Sequence, residues 1–232
     1  MQNLNYKNYR AWKKWGELFK PTQQEISLYK KEFLHISLSG KDFLDLGFGS
    51  GTLLAWAKHE GARVVGVEIQ PDLCRAATVM DITAFSSIDI VPDNSFDVVA
   101  VFDVLEHISI NELPAVLKQL ARVCRQDANI LMRFPNCQSP AGLANQFGDP
   151  THLTMLSGPV VKFLLESAGF VDVSYKEAVM QASTKRINRW LKIITHPLAW
   201  AFVFLYRITW SIGSAPLSPN IIIQAKKPKD FL

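Results

Sequence analysis

The 232-residue sequence has few cysteines. Its three cysteines, Cys74, Cys124 and Cys137, are odd in number and show no C-x-x-C spacing, which argues against a disulfide framework and against a zinc site. No close cluster of His, Asp and Glu along the chain demands a metal ion. The first ten residues lack the apolar core of a secretory signal. We therefore expect a cytoplasmic protein without a bound metal.

Acidic residues are absent from the last part of the chain, between Ala178 and Pro228. The apolar run 198–212 is interrupted by Arg207 and falls short of the roughly 20 residues that a membrane-spanning helix needs. The segment 185–212 either lies on an anionic membrane surface as in-plane helices or packs as a lid or a dimer face. We favour the membrane, because a stretch without acids suits a negatively charged surface. The basic residues of the segment 185–212 are Lys185, Arg186, Arg189, Lys192 and Arg207. Lys226 and Lys227 follow this segment.

The remaining composition is that of one globular domain, with 48% hydrophobic and 20% charged residues. A net charge of +4 is too small to indicate a nucleic-acid partner. Residues 1–38 are predicted to be helical, because aromatic residues recur near helical spacing and Thr22 to Glu25 can form a capping box. This segment either packs on the sheet or covers a cofactor as a lid. The main domain then spans residues 39–232.

Glycines at positions 47, 49 and 51 follow an apolar strand that begins at Asp42. Thr52 to Lys58 has helical character, and Arg63 to Glu68 reads as a second strand that ends in a carboxylate. Glycines let a backbone turn tightly and approach a ligand, while the helix start offers free N–H groups. The dinucleotide pattern G-x-G-x-x-G is absent, because Thr52 and Leu54 occupy the positions of its third glycine. The unit predicts a nucleotide site of another kind.

The run Asp45 to Gly51 resembles motif I of the class I S-adenosylmethionine (SAM) dependent methyltransferases, of the group that includes glycan- and quinone-modifying members. Glu68 stands where that family places a ribose-binding acid, and Asp81-Ile82 resembles the pair that brackets adenine. Phe96 to His107 resembles strand four and the motif after it. The resemblance covers residues 40–135 and implies SAM as cofactor. The cofactor-binding residues that it implies are Asp45, Gly47, Phe48, Gly49, Gly51, Glu68, Ile69, Asp81, Ile82, Phe102 and Asp103.

The alternation of strands and helices predicts an α/β fold, a doubly wound and mostly parallel seven-stranded sheet with N-terminal helices. A helical hydrophobic insertion, 178–219, precedes the last strand. Helices are expected at 71–79, 111–125 and 157–168. The remaining predicted strands are 88–91, 96–102, 128–134, 170–175 and 221–225.

Three residues are candidates for acid–base chemistry: His107, His152 and Asp149. His107 follows strand four, and histidine can accept a proton at neutral pH; the alternative is that it only caps a helix. Asp149 and His152 either orient an imidazole as a base or brace the following helix. By resemblance, the block from Asp149 to Phe170 is similar to methyltransferases acting on glycans and secondary metabolites.

The acceptor is less constrained by the sequence than the cofactor. The resemblance disfavours nucleobase amines, because the Asn/Asp-Pro-Pro-aromatic motif is absent after strand four. Arg133 and Asn136, near the end of strand five, are expected to line the acceptor pocket. We expect O-methylation of a glycan, lipid-linked sugar or similar lipophilic metabolite by an enzyme held peripherally at the inner face of the membrane. The alternatives are a quinone or polyprenyl-phenol O- or C-methyltransferase and a non-catalytic SAM-binding regulatory or scaffold protein, and oligomers are compatible with all three.

Overall fold

The computed structural model describes residues 13, 15–179, 195, 197–198, 201–209 and 216–229. The first twelve residues of the expected N-terminal helices and the basic part of the insertion, 185–192, lie outside the described residues. The predictions for those segments therefore stay predictions.

A seven-stranded sheet organises the molecule, with the strand order β3-β2-β1-β4-β5-β7-β6. Only β7 runs antiparallel among the described strands, between β5 and β6, so the prediction of a mostly parallel sheet is confirmed. The strands are β1 Asp42–Leu46, β2 Arg63–Val67, β3 Thr83–Phe85, β4 Phe96–Phe102, β5 Cys124–Pro135, β6 Val171–Glu177 and β7 Asn220–Lys226.

Helices cover both faces of this sheet, as a doubly wound fold requires. Short 3-10 helices at Ile88–Ile90 and Leu105–His107 follow β3 and β4. The predicted capping box is present, with the Thr22 hydroxyl accepting from the Glu25 N–H and the Glu25 carboxylate accepting from the Thr22 N–H. The α-helices are α1 Gln23–Glu32, α2 Thr52–His59, α3 Pro71–Val79, α4 Leu113–Val123, α5 Pro140–Gly148 and α6 Gly158–Ser167.

The hydrophobic core lies in two layers that follow the alternation of side chains along the strands. Leu44 and Val99 belong to the layer under α4 and α6, while the adjacent Phe43 and Val98 belong to the layer under α1, α2 and α3. Successive residues of a strand point to opposite faces, so central strands buried on both faces are apolar throughout. This pattern explains why the sequence shows a continuous apolar run in β4.

The prediction of a third strand at 88–91 is wrong. The third strand is Thr83–Phe85, which pairs with Val65, Gly66 and Val67 of β2. Ile88–Ile90 is a 3-10 helix capped by the Ser87 hydroxyl. Its first residue, Ile88, packs in the core. Asp81 and Ile82 lie between α3 and the start of this third strand. Helix α5 also was not predicted.

One helix on the carboxyl-terminal side carries an unusual exposed surface. Residues 201–209 are helical, and Phe202, Phe204, Leu205 and Ile208 are each between 61% and 63% exposed. Val203, Tyr206 and Arg207 are half-buried on the other side of the helix. We call the exposed face of 201–209 the apolar face. In the described part of the chain, no helix combines the length and the apolarity needed to cross a bilayer.

Candidate active site

A cavity of about 510 Å³ opens at the carboxyl ends of β1, β2 and β4. This is the edge at which doubly wound sheets bind ligands, and the volume lies in the range of small-molecule sites. The glycine loop forms one wall, and Lys13 and Trp15 of the N-terminal segment close another side. Of the sequence-predicted cofactor residues, those in the cavity wall are Asp45, Gly47, Phe48, Gly49, Glu68, Ile69, Phe102 and Asp103.

The conformation of the glycine loop explains why it needs glycine. Gly47 has φ +72°, and a Cβ atom there would lie 2.5 Å from a methyl group of Val104. Gly51 has φ +73° and caps α2, where a Cβ atom would lie 2.2 Å from the ring of Phe19. Gly51 is thus not in the cavity wall, but it lets the N-terminal segment pack against the loop. Both positions require a backbone that other residues rarely adopt.

Glu68 ends the second strand with a buried carboxylate that binds the glycine loop. Its oxygens accept hydrogen bonds from the Gly49 N–H at 3.1 Å and the Gln70 N–H at 3.0 Å. Burial raises the pKa of Glu68, and these backbone bonds oppose that rise. Burial also raises the pKa of Asp45, with the nearby Glu68 charge acting in the same direction. Ile69 follows with 67% of its surface exposed at the cavity, which suits a flat apolar ligand.

The structure does not bring Asp81 and Ile82 to this cavity. The Asp81 side chain is fully exposed and lies 3.8 Å from the Lys58 ammonium, while Ile82 is buried in the core. Both precede β3, at the edge of the sheet away from the glycine loop. The residues that follow β3 and line the cavity are Ser86, Ser87 and Ile88. These three residues were not predicted to line the cavity, because the third strand begins at Thr83, five residues before the predicted start at Ile88.

Arg133 lines the cavity, whereas Asn136 does not. The Arg133 guanidinium forms an ion pair with Asp103 and lies 4.7 Å from the centre of the Phe102 ring. Asn136 is fully buried, and its amide donates to the carbonyl oxygens of Pro216 and Ser218. Asn136 thus holds the segment that leads into β7.

The three acid–base candidates meet in one cluster, of which only His107 reaches the cavity wall. The rings of His107 and His152 lie edge to face with centroids 4.7 Å apart. His152 Nε2 lies 3.7 Å from Asp149 Oδ2 and 3.8 Å from Glu106 Oε1. The Lys13 ammonium contacts Asp149 at 2.8 Å. We call Glu106, His107, Asp149, Thr151 and His152 the histidine cluster.

Hydrogen bonds determine which nitrogen of each histidine carries a proton. The Thr151 hydroxyl donates to Asp149 Oδ1 at 2.6 Å, so its oxygen is an acceptor for His107 Nδ1 at 2.9 Å. His152 Nδ1 lies 2.9 Å from the Gln146 carbonyl oxygen, which can only accept. Both rings therefore donate from Nδ1, and in the neutral form their Nε2 atoms carry the lone pairs.

Burial and neighbouring charges tune the groups of this cluster differently. Burial and the neighbouring His152 lower the pKa of His107. Burial opposes the ionisation of Asp149, but hydrogen bonds from Lys13 and Thr151 hold its pKa well below the usual value. Burial raises the pKa of Glu106 well above its usual value, and Asp103 adds to the effect. His107 is thus held neutral, and Asp149 charged, near pH 7.

The sequence shows no such grouping, although in the folded chain one carboxylate oxygen of Glu106 and one ring nitrogen each of His107 and His152 lie within 4.8 Å of one another. Glu106 and His107 are 44 residues or more from Thr151 and His152. Their meeting depends on α5, whose Gln146 anchors His152, and on backbone bonds from Leu153 and Thr154 to the Glu106 carbonyl oxygen. The missed residues are Glu106, Thr151 and Lys13.

Solved structures share this fold at low sequence identity. A SAM-dependent methyltransferase from Archaeoglobus fulgidus is 22% identical with a TM-score of 0.66, and the match covers 96% of this chain and 100% of that one. Another from Mesorhizobium loti is 13% identical with a TM-score of 0.60, over 84% and 94% of the chains. The 1,6-didemethyltoxoflavin-N1-methyltransferase of Burkholderia thailandensis, solved with S-adenosylhomocysteine, is 14% identical with a TM-score of 0.58, over 96% and 83%.

Comparison with sequence families shows the family of the chain, which structures of such low sequence identity do not. No functionally curated protein matches it significantly in sequence. A family model described as a methyltransferase domain matches residues 18–175, which is more than half of the chain and contains both the glycine loop and the histidine cluster. The chain therefore belongs to the SAM-dependent methyltransferases, and its cofactor is S-adenosylmethionine.

Proposed function

We propose that the protein transfers the methyl group of SAM to a hydroxyl oxygen of a glycan, a lipid-linked sugar or a similar lipophilic metabolite. The observation that carries the choice of oxygen is the position of His107, which lies in the wall of the cofactor cavity and is oriented by Thr151 and the buried Asp149. A hydroxyl must lose its proton during methyl transfer, so its methylation needs an activating group at the acceptor. The histidine cluster supplies such a group.

The cofactor fits the residues of the cavity wall. Glu68 offers a buried carboxylate for the two ribose hydroxyls, at the end of the strand beside the glycine loop. Ile69 and Ile88 offer apolar surfaces for adenine, and Ser86 and Ser87 offer hydroxyls for its polar edge. The bound cofactor supplies an electrophilic methyl group. Lys13 and Trp15 border the same cavity, which supports a role of the N-terminal segment as a lid.

A lipophilic acceptor is favoured by the apolar face. Four large apolar side chains share the exposed side of one helix, and exposed patches of this kind mark interaction surfaces. The surrounding sequence, 178–228, has no acidic residue, so an anionic bilayer would attract it. An enzyme docked in this way would meet lipid-linked acceptors at the membrane surface.

The test is transfer of labelled methyl from SAM into a cell extract, followed by separation into lipid, polysaccharide, RNA and protein. Label in polysaccharide or lipid-linked sugar, recovered after hydrolysis as an O-methyl sugar, supports the proposal. Label in an isoprenoid quinone would select the quinone alternative, and label in RNA or protein would contradict both. SAM binding without any label would select the non-catalytic alternative.

The matched variant is His107→Ala. Loss of an activating group at the acceptor lowers transfer by about 100-fold or more, while SAM affinity stays near that of the wild type because Glu68 and the glycine loop remain. Equal transfer by this variant and the wild type would exclude the histidine cluster from the reaction.

A further inference from the structure

The histidine cluster contains three side-chain atoms that are close enough together to bind one metal ion. One carboxylate oxygen of Glu106 and one ring nitrogen each of His107 and His152 lie within 4.8 Å of one another. Two imidazoles and one carboxylate with open positions form a common donor set of protein-bound transition-metal ions.

The surroundings of His152 Nε2 are the first argument for a cation. This atom lies 3.8 Å from Glu106 Oε1 and 3.7 Å from Asp149 Oδ2, too far for hydrogen bonds of normal length. Its Nδ1 already donates to the Gln146 carbonyl oxygen. A lone pair on Nε2 would therefore face two acidic groups without a shared proton. A metal ion about 2 Å from each donor atom would bridge distances of this size.

Glu106 supplies the second, independent argument. Its side chain is 1% exposed, and within the described residues its Oε2 atom has no hydrogen-bond partner. A buried polar atom without a partner is costly. The neighbouring carboxylates are neutralised, Asp103 by Arg133 and Asp149 by Lys13, whereas no ion pair with Lys or Arg within 4.0 Å involves Glu106 in that part of the chain.

The outer contacts of the two histidines are those that orient metal ligands. Metal-binding histidines usually donate their second nitrogen to a carbonyl, a carboxylate or another acceptor, which fixes the ring. His152 has the Gln146 carbonyl in this role, and His107 has Thr151, which is itself held by Asp149. Asp149 thus acts as a positioning residue for His107.

We propose that Glu106, His107 and His152 bind one divalent transition-metal ion, such as Mn²⁺ or Zn²⁺, beside the SAM cavity. Because His107 lies in the cavity wall, the acceptor hydroxyl can occupy an open position of this ion, which lowers the pKa of the hydroxyl. The proton leaves to water, the oxygen forms a bond to the methyl carbon, and the carbon–sulfur bond breaks to leave a neutral thioether. This catalytic role depends on the proposed O-methylation, whereas binding of the ion does not.

The test uses the full chain after chelator treatment and titrates Mn²⁺ alone, measuring the loss of the free Mn²⁺ signal by electron paramagnetic resonance. Mn²⁺ is chosen because oxygen ligands such as carboxylates suit it better than thiolates, which limits binding to the three cysteines. We expect one ion per chain. Glu106→Gln and His152→Asn each weaken binding at least 10-fold, and Thr151→Val weakens it about 10-fold to 100-fold by releasing His107.

His59→Asn is the control, because His59 is an exposed histidine whose side chain is 84% accessible, and it keeps Mn²⁺ binding unchanged. SAM affinity is measured on every variant to verify folding. Failure of the wild type to bind Mn²⁺, or equal binding by Glu106→Gln, His152→Asn and the wild type, overturns the proposal. Methyl transfer to a glycan without metal binding would overturn this inference alone, and metal binding with methyl transfer to RNA would overturn only the proposed acceptor.

Discussion

Glu68 shows how one buried carboxylate can organise a cofactor loop before the cofactor binds. It accepts from the backbone of both the glycine loop and the segment after β2. These hydrogen bonds restrain the loop in the ligand-free chain, so less ordering is required on binding. The position of Glu68 could be predicted from the sequence, because the residue that ends a parallel strand also lies at the ligand-binding edge.

Replacing Glu68 by Gln should weaken SAM binding, and it should also lower fold stability by about 1–3 kcal/mol because one backbone N–H loses its acceptor. The amide retains one acceptor oxygen for the backbone but loses the charged acceptor for the ribose hydroxyls. Hydrogen bonds to charged groups contribute about 1.5–3 kcal/mol, so the dissociation constant for SAM rises by about 10-fold to 100-fold in isothermal titration calorimetry. Asp81→Asn is the control, since Asp81 is fully exposed outside the cavity. Equal affinity of the two variants would contradict the assignment of Glu68 to the cofactor.

At the scale of elements, most strands and helices could be predicted from the sequence, but the side chains that they bring together could not. The apolar run of β4 and the Thr22 capping box are local signals, and both are confirmed. The segment Ile88–Ile90 has strand-like composition, yet tertiary packing of Ile88 selects a 3-10 helix. Helix α5, which begins at Pro140 behind the Ser139 cap, was not predicted. Since α5 positions His152, the histidine cluster was not visible in the sequence.

An added methyl group in helix α5 should lower the stability of the protein at Gly142 but not at Gly148. A Cβ atom on Gly142 would lie 2.0 Å from the Asn136 carbonyl oxygen and 2.9 Å from that of Pro219. Overpacking of this kind costs about 1–3 kcal/mol, so Gly142→Ala should lower the Tm by about 3–10 °C in a scanning calorimeter. Methyl transfer should also fall, because α5 shifts Gln146 and thereby His152.

Gly148→Ala is the matched change at the other end of the same helix. No atom lies within 4 Å of a Cβ placed on Gly148, so its Tm should stay within about 2 °C of the wild type. If Gly142→Ala and Gly148→Ala have the same Tm, the segment after β5 can move away from the added methyl group without loss of stability, which would contradict the prediction.

At the scale of the whole molecule, two surfaces lie apart from the buried core: the cofactor cavity and the apolar face. The cofactor cavity lies at one edge of the sheet, where five parallel strands end. The apolar face belongs to the chain that connects β6 to β7, a position where an insertion leaves the sheet order intact. The first surface follows from the fold and could be predicted from the glycine loop. The second was visible in the sequence only in part, as a segment without acidic residues between Ala178 and Pro228.

The apolar face should bind anionic vesicles. In a density gradient, we expect the full chain to float with vesicles that contain phosphatidylglycerol. With vesicles of pure phosphatidylcholine, we expect it to stay in the bottom fraction. A double variant, Phe202→Glu with Leu205→Glu, should lose flotation, because burying each of these side chains contributes about 1.5–3 kcal/mol and the new charges are repelled by the anionic surface. Both positions are exposed, so SAM affinity should be unchanged.

Val79→Glu provides the control for charge at an exposed apolar position. Val79 is 84% exposed at the end of α3, and its replacement adds one acidic charge away from the apolar face. This variant should float like the wild type, and raised salt should weaken flotation of both, because screening reduces the attraction between basic residues and the bilayer. Flotation of the double variant at the wild-type level, or failure of the wild type to float, would contradict membrane docking through the apolar face.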